Sequence, residues 1–167
     1  LSLDAGLITD DNVGVCPKGL DFDTDGNGNP LTAGTVITNQ YANLGITVST
    51  ANPNNPVMIF DTNNPTGGDT DLGTPGSGPG NNSPLNNVLI LSEDGDSTDP
   101  DDNASGGTMI FEFGSPVDIN ALRLLDIEGA EAVTVRSYDA NGNLIGTVSV
   151  NGNGNNSVQL VDINANS

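Results

Sequence analysis

The sequence predicts an all-β protein, an antiparallel β-sandwich or barrel with long acidic, Gly- and Asn-rich loops. Three observations carry this expectation. Apolar residues alternate or form short β-branched runs, and nowhere recur at i, i+3, i+4 and i+7 over a useful length. Turn residues close each run, drawn from 22 Gly and 10 Pro in 167 residues. The hydrophobic share is 34% with 4% aromatics, so a core must be assembled from Val, Ile and Leu in many short strands.

The expected strands, in order, are residues 1–9, 19–23, 45–50, 57–61, 87–92, 108–113, 121–127, 132–138, 144–150 and 157–163. The clearest unit is "EAVTVRSYDANGNLIGTVSV", which reads as a hairpin. Val133, Val135 and Ser137 share one face, with Thr134, Arg136 and Tyr138 on the other. Residues 139–143 carry the turn, where Gly142 is free to take positive φ. On the return, Ile145, Thr147 and Ser149 alternate with Leu144, Gly146, Val148 and Val150. Residues 52–56 form a Pro-bounded turn. Residues 63–84 are a long loop without an apolar pattern, and loops of that length are usually functional or mobile.

Charge narrows the function. Three basic residues, Lys18, Arg123 and Arg136, stand against 22 acidic ones, for a net charge of −19. So few cations cannot neutralise a phosphate backbone, so nucleic acid is not an expected partner. Anionic membrane surfaces are disfavoured for the same reason, and no run approaches the 18 or so apolar residues of a span. Cys16 is the only cysteine, which precludes an intrachain disulfide. With no His in the chain, the usual base and the usual transition-metal ligand are missing. The chain opens on Leu1, which suggests a mature, secreted protein freed of an export signal.

The acids fall in clusters. The first, in "LDFDTDGNGNP", holds Asp21, Asp23 and Asp25 on alternate positions before Gly26, a pattern that suits a hard, oxygen-seeking cation such as Ca²⁺. It is not an EF-hand, because Thr32 or Gly34 stands where the bidentate Glu belongs. The alternative is an Asx-rich turn with solvated acids. The second cluster holds Asp61, Asp69 and Asp71. The third, "SEDGDSTDPDDNASGG", holds Glu93, Asp94, Asp96, Asp99, Asp101 and Asp102. These repel one another unless a cation sits among them or the loop stays solvated. The fourth is Asp126 with Glu128, at the end of an apolar run. The first loop is thus expected to be one wall of a cation site, with other walls near Asp69, Glu93, Asp101 or Asp126.

No catalytic constellation emerges. Ser, Thr and Cys16 lack a His to activate them. A glycosidase needs two acids across an aromatic-lined cleft, and this chain has no Trp, two Tyr and four Phe. Sequons at Asn81, Asn103 and Asn155 are candidate glycosylation sites on a secreted surface.

Taken together, "LDFDTDGNGNPLTAGTVITNQYANLGITVS", "MIFDTNNPTGGDTDLGTP", "NVLILSEDGDSTDPDDNASGGTMIFEF" and "LLDIEGAEAVTVRSYDANGNLIGT" resemble a family of secreted microbial β-sandwich domains. These occur in exported and surface-anchored proteins of cyanobacteria and other bacteria. They are similar to calcium-containing carbohydrate-binding modules of jelly-roll type. The resemblance spans residues 19–163. It implies a non-catalytic jelly-roll with calcium held by acids such as Asp23, Asp126 and Glu128. Two departures stand out. The family pattern continues with a further strand after "VDI", whereas this sequence ends at Ser167. At the other end, residues 1–18 form an extension before the sandwich domain of residues 19–167, with strand-like Leu1, Leu3, Ala5 and Leu7.

A sandwich short of one strand has an open groove that a spare N-terminal strand can fill, in its own subunit or in the next. The expected function is therefore a calcium-binding, non-catalytic structural protein of the cell exterior. It would be a subunit of a matrix or filament, a homopolymer joined by strand donation. The competing expectation is a calcium-dependent carbohydrate-binding or adhesion module with a polysaccharide ligand.

Overall fold

The structure, a computed structural model, describes residues 2–4 and 19–165. They form an all-β, antiparallel arrangement of nine strands with two single turns of 3₁₀ helix, Ala42–Leu44 and Thr70–Leu72. The strands are β1 (Ser2–Asp4), β2 (Ile46–Thr50), β3 (Val57–Asp61), β4 (Asn87–Leu91), β5 (Met109–Phe113), β6 (Ile119–Leu125), β7 (Ala132–Tyr138), β8 (Leu144–Asn151) and β9 (Val158–Ala165). Five of them make one sheet in the order β3-β4-β1-β6-β9, and β2–β5 and β7–β8 are separate two-stranded ribbons.

The five-stranded sheet owes its position to runs that are apolar on both faces. In β3, Val57 and Ile59 enter one core cluster and Met58 and Phe60 the other. In β4, Leu89 and Leu91 likewise divide from Val88 and Ile90. A strand of this kind holds its place only if both faces are covered. The two ribbons cover the first face. Ile46 and Val48 of β2 are buried there, and Met109, Phe111, Phe113, Val133, Val135, Val148 and Val150 pack against the same cluster. The long loop covers the second face, where Leu72 is 1% exposed.

The hairpin forms as expected. Val133 pairs with Val150 and Val135 with Val148, inner positions are half-buried and outer ones exposed, and Gly142 has φ 80°. Leu144 is exposed like Ile145, because the register slips between Ser137 and Tyr138.

Residues 19–23 correct an expectation. Leu20 and Phe22 are buried in the first cluster, but the segment is not a strand. Phe22 has φ 61°, and the Asp23 N–H is taken by the Asp21 carboxylate at 3.0 Å, so neither residue is free to join a ladder. Of the expected strand over residues 1–9, only Ser2–Asp4 falls within the described residues.

Candidate functional site

The acidic loops separate into three groups. The first, "LDFDTDGNGNP", is stitched by ordinary hydrogen bonds. Asp25 accepts the N–H groups of Asn27 at 2.8 Å and Asn29 at 2.9 Å, and the Asn29 side-chain amide at 2.9 Å. These bonds hold its carboxyl below the usual carboxylate range. Asp23 accepts the Asn87 N–H at 3.0 Å and the Asn86 amide at 3.0 Å. The Asn87 amide in turn donates to the carbonyls of Phe22 and Leu31. Tyr41 donates its hydroxyl to the Thr24 carbonyl at 3.1 Å. Its ring meets Phe22 edge-on at 6.0 Å. Burial, then the carboxylates of Asp21, Asp25 and Asp23, raise the Tyr41 phenol. In this structure the carboxylates of Asp23 and Asp25 are taken up by backbone and Asn donors. The loop's acids face Tyr41 and the start of β4, while those around Asp69, Asp101 and Asp126 gather elsewhere.

Asp61 also serves a local turn, accepting Asn63 N–H at 2.9 Å and the Asn64 amide at 2.7 Å.

The second group laces the loop of residues 63–84 to that of residues 93–107. Asp69 accepts the Asp102 N–H at 2.7 Å, Asp99 accepts the Gly67 N–H at 2.9 Å, and Thr66 donates its hydroxyl to the Pro100 carbonyl at 2.7 Å. Burial raises the Asp69 carboxyl to about 6, against the Asp102 N–H, with Asp102, Asp71 and Asp101 adding repulsion. Burial likewise raises Asp101, with Asp94 and Glu93 adding to it. Asp101 Oδ1 is buried without a hydrogen-bond partner.

The third group lies where β6 ends. Asp126 has φ 56° and accepts the Asn156 N–H. Burial raises it to about 6, that N–H opposing and Asp71 and Glu128 adding repulsion. The Asn155 amide stands between Asp71 and Glu128, at 3.5 and 3.4 Å. Asn156 donates its amide to the carbonyls of Asp71 at 2.5 Å and Gly73 at 2.8 Å. Asp71 presses on both Asp69 and Asp126, so it links the second and third groups.

Carboxylate and carbonyl oxygens are the donors a hard cation seeks, and like charges crowd around Asp69 and Asp126. Asp71, Asp126 and Glu128 would hold it on one side, and Asp69, Asp99, Asp101, Asp102 and Glu93 on the other. Neither is a finished cage. Among the described residues no three acidic side chains are arranged to hold a metal ion.

Three sequence expectations meet different fates. Asn81 is 1% exposed and gives its amide to the Gly73 and Asn156 carbonyls at 3.0 and 3.1 Å. A glycan there is incompatible with the fold, because its attachment atom is buried and used. Asn103 is half-buried and donates its amide to the Gly106 carbonyl, whereas Asn155 is exposed. Of the N-terminal residues, Leu1, Ala5, Leu7 and Cys16 lie outside the described residues, and Leu3 stands in β1 opposite Leu89 and Leu124.

Sequence reasoning missed Asn86, Asn87 and Asn156, which organise these sites, and read Asn81 only as a sequon. A signal was present in "NGNGNNS": clustered Asn next to a strand marks positions that accept left-handed backbone, and Asn156 has φ 57°. No helix of the described residues is long and apolar enough to cross a membrane. Comparison with family models, with curated proteins and with solved structures yields no match in any of the three.

Proposed function

We propose that the chain is a secreted, non-catalytic structural protein, a calcium-binding subunit of a surface matrix or filament that assembles by donating its N-terminal strand. The fold would be a jelly-roll-like sandwich, with the five-stranded sheet as one leaf and the two ribbons as the other. The observation that carries this reading is the place of β1. Ser2–Asp4 lie in the middle of the principal sheet, between β4 and β6. A short strand held between two others, β4 and β6, is the kind of element that neighbouring subunits can exchange. The acidic surface supports the calcium part, since copies at −19 repel unless cations intervene. Electron microscopy of purified protein with and without calcium tests assembly. Deletion of residues 1–11 should abolish it, and filaments that persist after that deletion would defeat the reading.

A second reading is a carbohydrate-binding or adhesion module. It rests on a cavity of about 440 Å³ in which polar groups of Asn52, Asn55, Glu93, Asn103 and Ser105 share the lining with apolar Leu91. Hydroxyl and amide groups of this sort match sugar hydroxyls, but the cavity has no aromatic platform for a sugar ring. Binding to a defined polysaccharide on a glycan array, lost in Asn55→Ala, would favour this reading.

A further inference from the structure

We propose that the outer face of the β7–β8 ribbon is a docking surface for a second copy of this chain, with Arg136 and Tyr138 as the anchors for that copy's exposed acidic loop, residues 93–99. The contact rests on the self-association reading above and gives it a surface other than β1.

The ribbon carries no acid. β7 and β8 hold seven and eight residues, and none of them is Asp or Glu, in a chain with 22 acidic residues against three basic ones. Alternation packs Val133, Val135, Val148 and Val150 against the core. It leaves Thr134, Arg136, Tyr138, Thr147 and Ser149 exposed on the other side. Thr134 stands opposite Ser149 and Arg136 opposite Thr147, so the face runs continuously from one strand to the other. The acids that flank the ribbon are engaged locally. Asp139 accepts the N–H groups of Asn141 at 2.9 Å and Asn143 at 2.8 Å, and Glu131 accepts the Glu128 N–H at 2.9 Å. The β2–β5 ribbon, by contrast, exposes Glu112.

The tip of the face is apolar. Tyr138 is 55% exposed, and Leu144 and Ile145, brought together by the register slip, are exposed beside it. One exposed apolar residue needs no partner, but a group of three next to a cation marks an interaction surface. Tyr and Arg are the residues enriched at the energetic centre of protein interfaces, where acids are depleted. Arg136 is exposed, and its guanidinium has no ion-pair partner among the described residues.

Charge selects the occupant. The loop after β4 exposes Glu93, Asp94, Asp96 and Asp99. Its own turns hold it in shape: Asp94 Oδ1 accepts the Asp96 N–H at 2.8 Å, and Asp96 Oδ1 accepts the Thr98 N–H at 2.8 Å. Each of these carboxylates keeps its second oxygen for a guanidinium, and a loop already ordered loses little entropy on docking. At long range, copies at −19 repel. The ribbon is a face on which approach of the acidic loop replaces local repulsion with attraction.

The fold makes this contact intermolecular. β8 lies against β9, one edge of the five-stranded sheet. The acidic loop leaves β4 beside β3, the opposite edge, where the Asn55 amide donates to the Glu93 carbonyl at 2.8 Å. A chain that offers its ribbon to one neighbour and its loop to the next makes a head-to-tail contact, which propagates.

Sedimentation equilibrium of the full chain tests this. Arg136→Glu and Tyr138→Ala should each raise the dissociation constant for self-association about tenfold or more. Their melting temperatures should match the parent's, because both side chains are exposed. A chain carrying Asp94→Lys and Asp96→Lys should associate as weakly as Arg136→Glu, and mixing these two chains should restore heteromeric association. A parent that stays monomeric at millimolar concentration, a constant shared by the parent and Arg136→Glu, or a mixture that fails to recover overturns the proposal. Saturable binding of a neutral polysaccharide that Tyr138→Ala abolishes, without association between copies, also overturns it and assigns the face to a glycan. Association that survives deletion of residues 1–11 but not Arg136→Glu supports this face and ends strand donation. Association that survives Arg136→Glu but not the deletion does the reverse.

Discussion

The backbone N–H of Asn156 donates to the Asp126 carboxylate, and both residues hold left-handed φ values, 57° and 56°. That one bond ties the end of β6 to the loop that leads into β9, at the point where Asp71 and Glu128 also converge. Asn tolerates left-handed backbone as well as Asp does, so Asp126→Asn removes charge with little backbone cost. Without calcium at pH 7, Asp126→Asn should melt at the parent's temperature or a few degrees above it, since a crowded carboxylate is gone. Millimolar calcium should raise the parent's melting temperature by several degrees and the variant's by much less. An equal calcium gain in both proteins, read by differential scanning fluorimetry, would remove Asp126 from the proposed cation site.

The pH dependence without calcium follows from Asp69 and Asp126, both raised to about 6 from an ordinary 3.8. A folded state whose carboxyl titrates above its unfolded value binds the proton more tightly than the unfolded chain does. Stability therefore rises as pH falls from about 7 toward 4, the reverse of the usual carboxylate case. After allowance for solvent screening, each group contributes about 1 kcal/mol. Below about 4 the trend should turn, because Asp25, Asp96 and Asp139 are held below the usual range by their hydrogen bonds and lose them on protonation. Urea melts between pH 3 and 8 should show a maximum near 4 to 5, and Asp69→Asn with Asp126→Asn should flatten the upper limb. Stability that rises steadily from pH 4 to 8 would contradict this.

Leu72 is the apolar anchor of the loop of residues 63–84, fully buried against Met58, Phe60 and Ile90 in the second core cluster. Leu72→Ala should cost about 2–4 kcal/mol and open the loop to proteases before the rest of the chain. Loss of stability without earlier cleavage in this loop would mean that the polar bonds around Thr62, Thr74 and Asn81 hold it unaided.

Strands with a regular period were legible in the sequence because period-2 alternation and runs apolar on both faces leave a direct trace. The β7–β8 hairpin and the β3 and β4 runs are of this kind. What escaped notice depends on contacts distant along the chain. Leu72 looks like a stray apolar residue in a loop until β3 and β4 present a face for it to cover. Asp23 reads as one of three alternating acids, and nothing local shows that Asn86 and Asn87, more than sixty residues away, supply donors for its carboxylate. A carboxylate run has the same composition whether a cation or a set of N–H groups satisfies it, and only the fold distinguishes them.

Gly152 marks how tightly the end of β8 meets the Asp126–Glu128 segment. A Cβ there would lie 1.5 Å from the Glu128 carbonyl oxygen and 2.8 Å from that of Ile127, both backbone atoms that cannot swing aside. Gly152→Ala should cost about 2–4 kcal/mol and weaken calcium binding together with stability. A urea midpoint within error of the parent's would show that the two segments are free to separate.

The opening loop gives the sharpest separation between hydrogen-bonded turn and cation site. Asp23 holds Asn87 N–H and the Asn86 amide, each at 3.0 Å, and the Asp23 carbonyl accepts the Leu31 N–H at 2.9 Å. Removing the carboxylate leaves a half-buried backbone donor at the first residue of β4 without its acceptor, which costs about 1–3 kcal/mol. Asp23→Ala should therefore lose that much stability, and the loss should be the same in excess calcium as in excess chelator. Asp23→Asn, which retains an acceptor oxygen, should recover about half of it. If the loss appears only when calcium is present, and Asp23→Asn fares no better than Asp23→Ala, then Asp23 is a cation ligand, and the hydrogen bonds to Asn86 and Asn87 are replaced when the ion binds.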